Sequence, residues 1–287
     1  MFGNPGVCIL LFASCIQVAD FFSNLLKVSG YQPGIYRPGI GNSGRGSGSR
    51  RPLGLRTLAV ALVVLALPQL HPRAAGRLVT FRLADGRMLS GLLMDAPNRP
   101  APAVVLVPML GRPRDEWQAV AERLSEANIS ALAIDLPAAT LPDTPAELTR
   151  WHEAVAAAVS YLAGQPLDVR PGAIGVAGAS LGANLAVVAA AADPAVRSLA
   201  LVSPSLEYRG VRIESLMTQY GARPALLVAS VHDPYAARSV RTLAQDTAGL
   251  REVRWSGTAA HGTILLSRDA ELAGALVEWF QRTLGGK

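Results

Sequence analysis

The sequence predicts an α/β fold: a doubly wound, mostly parallel sheet led by an antiparallel hairpin. Three observations predict it. Continuous apolar runs recur from residue 103 onward, as strands buried on both faces require. Stretches of helical length separate them, so successive strands must cross over and lie parallel. Two further strand-like segments meet at Asp85-Gly86, a strong hairpin signal.

Taken in order, "RLVTFRLADGRMLSGLLM" supplies the hairpin, and "AVVLVP" (103–108) the first fully buried strand. A helix is expected over about 115–127 and a strand over "SALAID" (130–135). Thr144-Pro145-Ala146-Glu147 is a capping box with Pro at the first helical position, and its helix should end by Gly164 and Pro166. "AIGVAG" (173–178) is a buried strand, and "SLGANLAVVAAAAD" a small-residue helix suited to close packing on a sheet. "SLALVS" (198–203) and "ALLVAS" (225–230) are two more strands. A helix over 235–247, a last strand "REVRWSG" and a last helix over 268–284 complete the pattern.

This pattern occupies residues 77–287, and residues 1–76 read as an N-terminal extension. Residues 29–54 are rich in Gly, Ser, Arg and Pro, a composition of disorder. Basic residues, the apolar run 58–67, a Pro and Ala-Ala follow, which is the layout of an export signal over about 50–75. Ser49-Arg50-Arg51-Pro52-Leu53 partly matches a twin-arginine signal, with Gly54 departing from it. The apolar run is too short for a membrane span, so none is expected. Export to a periplasmic or secreted location follows if the segment is a signal, and a cytoplasmic location if it is not. An initiation site nearer the signal-like segment is a second reading of the same residues.

The formal charge of +6 also belongs to the extension. Residues 1–76 hold seven Lys/Arg and one acid, whereas residues 77–287 hold 20 of each sign. A balanced domain has no electrostatic footprint for nucleic acid. Both cysteines, Cys8 and Cys15, lie in the extension, so the domain is expected to use no disulfide, zinc cluster or thiol nucleophile.

The chemistry centres on "GVAGASLGAN" (175–184). Ser180 stands between Gly178 and Gly182, after a buried strand and before a helix. A chain with 27 glycines supplies such frames by chance, so the frame alone is weak. Its setting is what a nucleophile elbow demands: a sharp turn that lifts the hydroxyl above the sheet and tolerates only small neighbours. The spacing is not G-x-G-x-x-G, and no Lys follows Gly182, so nucleotide-binding loops do not fit. A Ser hydroxyl needs a base, and the base needs an acid to orient it. On an α/β sheet these follow the Ser in the order acid, then His. His261, in "GTAAHGTILL" after the last strand, is the candidate base. Asp233, in "LLVASVHDPYA", is the candidate acid, and Glu207 competes with it. His71 lies in the extension, His152 falls on a helix before Ser180, and His232 adjoins Asp233 and should point away from it.

With "GASLG", "VHDPYAAR" and "AHGTILL" in this order, residues 77–287 resemble the α/β-hydrolase superfamily, in its dienelactone-hydrolase-related and small serine esterase branches. The resemblance implies a Ser180–His261–Asp233 triad. Dienelactone hydrolases proper use a Cys nucleophile, and Ser180 departs from that. The oxyanion donors should be the backbone N–H of Leu181 and, from the loop after the 103–108 strand, that of Leu110, with Met109 as fallback. Pro108 and Met109 replace the His-Gly pair common there. Trp117 and Met109 could line an acyl pocket or equally pack elsewhere. Only residues 204–224 separate two late strands, too few for a large lid, so a small or exposed acyl substrate is expected, with 136–147 bordering the mouth. The resemblance calls for no cofactor and no metal. Thioesterase, peptidase or acyltransferase chemistry, or a non-catalytic binding role, would use the same parts.

Overall fold

In the computed structural model, residues 76–245 and 248–285 are described. The signal-like segment, the rest of the extension and both cysteines lie outside the described residues.

The hairpin joins β1 (Arg77–Arg82) to β2 (Met88–Met94), and Gly86 turns it with a positive φ of 88°. β3 (Ala101–Val107) and β4 (Ser130–Ile134) are buried throughout, as their unbroken apolar runs require. β5 (Val169–Ala179), β6 (Val196–Val202), β9 (Ala225–Ser230) and β10 (Arg251–Ser256) complete an eight-stranded sheet in the order β1-β2-β4-β3-β5-β6-β9-β10. Within this sheet the pairings made by β2 are antiparallel and the others parallel. A separate two-stranded hairpin, β7 (Glu207–Tyr208) with β8 (Val211–Arg212), lies in the 204–224 connection.

Side chains alternate across each strand, and the helices divide accordingly. Val105, Val107, Val176, Leu199 and Leu201 face one apolar cluster, built with α3 (His152–Ala163), α4 (Leu181–Ala192), α5 (Glu214–Tyr220) and α6 (Pro234–Leu243). Val104, Leu106, Ala177, Ala200 and Val228 face the other, built with α1 (Gln118–Glu126), α7 (Thr263–Arg268) and α8 (Ala270–Leu284). The sheet is therefore wound on both faces. Trp279 of α8 is fully buried and donates its indole N–H to the Leu199 carbonyl at 2.9 Å, which latches the last helix to β6.

One expected helix is divided. Thr144 caps α2 (Pro145–Arg150) by accepting from the Glu147 N–H, but a separate α3 begins at His152. Between them the ladder tightens to i→i+3 bonds around buried Trp151. The last helix starts at Ala270, where Asp269 is extended and caps α8 through the Leu272 N–H, and α7 precedes it in a stretch where no helix was expected. No helix among the described residues is long and apolar enough to cross a membrane. The 204–224 connection holds only the β7–β8 hairpin and α5, so no large lid stands over the sheet.

Candidate active site

β5 ends at Ala179 and α4 begins at Leu181, which leaves Ser180 alone in the turn. Its φ of 52° and ψ of −119° are unfavourable for a residue with a Cβ, at a cost of about 1–3 kcal/mol. The surroundings hold it there. Its N–H donates to the Val202 carbonyl at 2.9 Å, and its carbonyl accepts from the N–H groups of Ala183 and Asn184 at 3.0 and 3.3 Å. A Cβ on Gly178 would fall on the Gly182 carbonyl, and one on Gly182 would fall on the carbonyls of Val107 and Pro108. Both glycines are thus required by backbone crowding. The second contact also shows that the end of β3 runs against the start of α4.

His261 lies in the loop between β10 and α7, at the same end of the sheet. Its Nε2 is 2.8 Å from Ser180 Oγ, and its Nδ1 is 2.5 Å from Asp233 Oδ2. A carboxylate only accepts, so Nδ1 carries the proton and Nε2 is left to accept from the Ser hydroxyl. Asp233 uses both oxygens: Oδ1 caps α6 by accepting from the Ala236 N–H at 3.1 Å while Oδ2 holds His261. The Asp233 side chain is only 14% exposed, against 47% for His261. The acid is sheltered and the imidazole opens to solvent.

The other sequence candidates lie elsewhere. Glu207 sits in β7 and pairs with Arg212 at 2.9 Å. His232 is exposed, and His152 Nδ1 meets the Thr149 carbonyl at 2.7 Å. His71 lies outside the described residues. Leu181 opens α4, where an N–H has no carbonyl in helical register. Leu110 follows Met109 in the turn after β3, beside that helix start. Trp117 is fully buried in the core, its indole N–H without a partner among the described residues, so it lines no open pocket. Met109 is also buried, with its sulfur in the space a Cβ on Gly262 would need.

Several residues that position the site were not singled out from the sequence. Ser203, with a φ of 51°, is fully buried and accepts the Gly262 N–H at 3.0 Å, next to His261. Ser230 donates to the Thr258 carbonyl at 2.6 Å and accepts the His232 N–H at 3.0 Å. Ser256 donates to Asp269 at 2.5 Å and accepts the Thr258 N–H at 3.1 Å. Thr263 donates to Glu116 at 2.5 Å, and Glu116 pairs with Arg112 at 3.0 Å, tying the histidine loop to the loop that carries Leu110. Asn184, wholly buried, donates to the carbonyls of Ser205 and Val211 at 2.9 and 3.3 Å. A signal for the first three was present: β9 and β10 end in a Ser, and a Ser directly follows β6, each at the end that carries the site.

No protein-family model matches the chain, and no curated protein matches it in sequence. Solved structures do match. An alpha/beta hydrolase, GrgF from Penicillium, superposes with a TM-score of 0.62 at 15% identity, over 74% of this chain and 99% of its own. The fold is that of the α/β hydrolases. The Pyrococcus furiosus esterase Pf2001 is similar at TM-score 0.62 and 16% identity, over 76% of this chain and 98% of its own. A dienelactone hydrolase from Anabaena variabilis is similar at TM-score 0.58 and 20% identity, over 74% of this chain and 99% of its own. At such identities the likeness is one of fold, and the α/β-hydrolase fold sets Ser180 where strand ends and helix starts converge.

Proposed function

We propose that the chain is a serine hydrolase that cleaves carboxylic esters of small or exposed acyl groups through an acyl-enzyme. The observation that carries this reading is the unbroken hydrogen-bonded chain from Asp233 through His261 to Ser180, set on a strained turn. His261 Nε2 takes the hydroxyl proton as Ser180 Oγ attacks the ester carbonyl carbon. The N–H groups of Leu181 and Leu110 hold the oxyanion, Met109 being the fallback donor. Asp233 fixes the tautomer and stabilises the imidazolium that forms. The imidazolium then protonates the leaving alcohol. Water, activated by the same imidazole, releases the acid and restores Ser180.

The small-substrate reading is supported by the short 204–224 connection and the half-exposed His261. Beside the Leu110 loop, a recess of about 340 Å³ is bounded by Gly111, Arg112, Pro113, Asp135, Leu136, Ala138 and Ala139, enough for a short group. A panel of p-nitrophenyl esters of graded chain length tests the proposal. Short acyl esters should turn over, with kcat/KM falling as the chain lengthens. No turnover of any ester, or turnover retained in Ser180→Ala, would contradict it.

A further inference from the structure

The strands that end at the candidate site begin in a positively charged cleft. A cavity of about 710 Å³ opens where β5, β6 and β9 start. Arg170, Arg197 and Arg223 line it together with Tyr220 and Thr283, and no carboxylate among the described residues does. The domain around it is balanced in charge, so the excess is local.

The three guanidinium groups are held differently. Arg223 is fixed: it donates to the carbonyls of Tyr220, Ala190, Asp193 and Val196 at 2.7–3.0 Å and lies 4.1 Å above the Tyr220 ring. Burial depresses its pKa; Tyr220 opposes this, the charge of Arg197 adds to it, and Asp193 opposes it in turn. Arg170 donates through Nη2 to the Leu284 carbonyl, which places it on the wall. Arg197 is exposed, and its side chain has no hydrogen bond or ion pair to another described residue. One guanidinium is therefore anchored, one is tethered, and one is uncommitted, all facing the same space without a counter-charge from the described residues of its lining.

We propose that this cleft binds a small organic polyanion, a molecule carrying two or more phosphate or carboxylate groups. Guanidinium forks match both groups bidentately, and both would relieve the repulsion between the arginines. The volume exceeds what one inorganic oxyanion fills. Ala173 lies in this cleft, and β5 runs on from it to Ala179, the residue before Ser180, roughly 20 Å at the rise of a β-strand. The ligand is thus distinct from the ester that Ser180 would attack, and the site does not depend on that reading.

Titration calorimetry on the full chain at constant ionic strength, with pyrophosphate and with citrate as probes, tests this. At least one probe should bind saturably, and the tighter of the two identifies the phosphate or the carboxylate arm. Arg197→Gln, an exposed change that leaves the fold intact, should weaken that binding tenfold or more. Ser180→Ala should bind as the wild type does, which separates this site from the hydrolase reading. Failure of both probes to saturate, or equal affinity in Arg197→Gln, would overturn the proposal.

Discussion

Ser180 and His261 meet from two regions that are held in place by different physics. The Ser180 side is fixed by backbone crowding. Gly178, Gly182 and the end of β3 leave room for no side chain, and the strained φ follows from that. The His261 side is fixed by hydroxyl groups. Ser203, Ser230, Ser256 and Thr263 pin the loop through their hydroxyl groups. The elbow should therefore fail abruptly when altered, and the histidine loop by degrees, since one clamp can be lost while others remain.

The largest expected effect removes the chemistry from both regions. Ser180→Ala and His261→Ala should each lower kcat by about 10⁴-fold or more, and the double variant little further, because these groups act as a unit. A clear additional loss in the double variant would show that they act separately. Next, Asp233→Asn should lower kcat by about 10⁴-fold while leaving the melting temperature almost unchanged. The Asn oxygen still caps α6, but its amide presents a donor to Nδ1 and favours the wrong tautomer. An equal drop in melting temperature would mean that the cap, not the tautomer, is its main role.

The elbow and the clamps can then be compared directly. Gly182→Ala places a methyl on the Val107 and Pro108 carbonyls and should destabilise the domain by about 1–3 kcal/mol, with activity lost even below the melting transition. Ser203→Ala leaves the Gly262 N–H without its acceptor, a loss of about 1–3 kcal/mol, and should slow kcat about tenfold as the histidine loop loosens. Hydrogen exchange at Gly262 should rise in that variant and stay unchanged in Gly182→Ala. The smallest effect should come from His232→Ala, within about twofold of wild type, since its side chain is exposed and a surface change of this kind is nearly neutral.

The same contrast explains how much was legible in the sequence. The sheet could be read because fully buried strands must be continuous apolar runs, as β3 and β4 are. The elbow could be read because its glycines are demanded by sterics that leave a fixed spacing. Asp233 and His261 could be placed by chain order and position after β9 and β10. The clamps could not, because a buried Ser hydroxyl bonding a backbone N–H looks in sequence like any other Ser. Only their recurrence at three strand ends marks them. The break at Trp151 was hidden for another reason: the helical pattern runs on through it, and tertiary burial of Trp151 divides what that pattern would continue. The arginine cleft draws on residues 170, 197 and 223, which only strand pairing brings together.

The central claim is that Ser180 is a nucleophile activated by His261. A fluorophosphonate probe with intact-mass and peptide analysis tests it most directly. The account predicts a single phosphonyl adduct on Ser180 of the folded wild type, absent from Ser180→Ala and strongly slowed in His261→Ala. A folded wild type that takes no label, or one labelled at another residue, would contradict it.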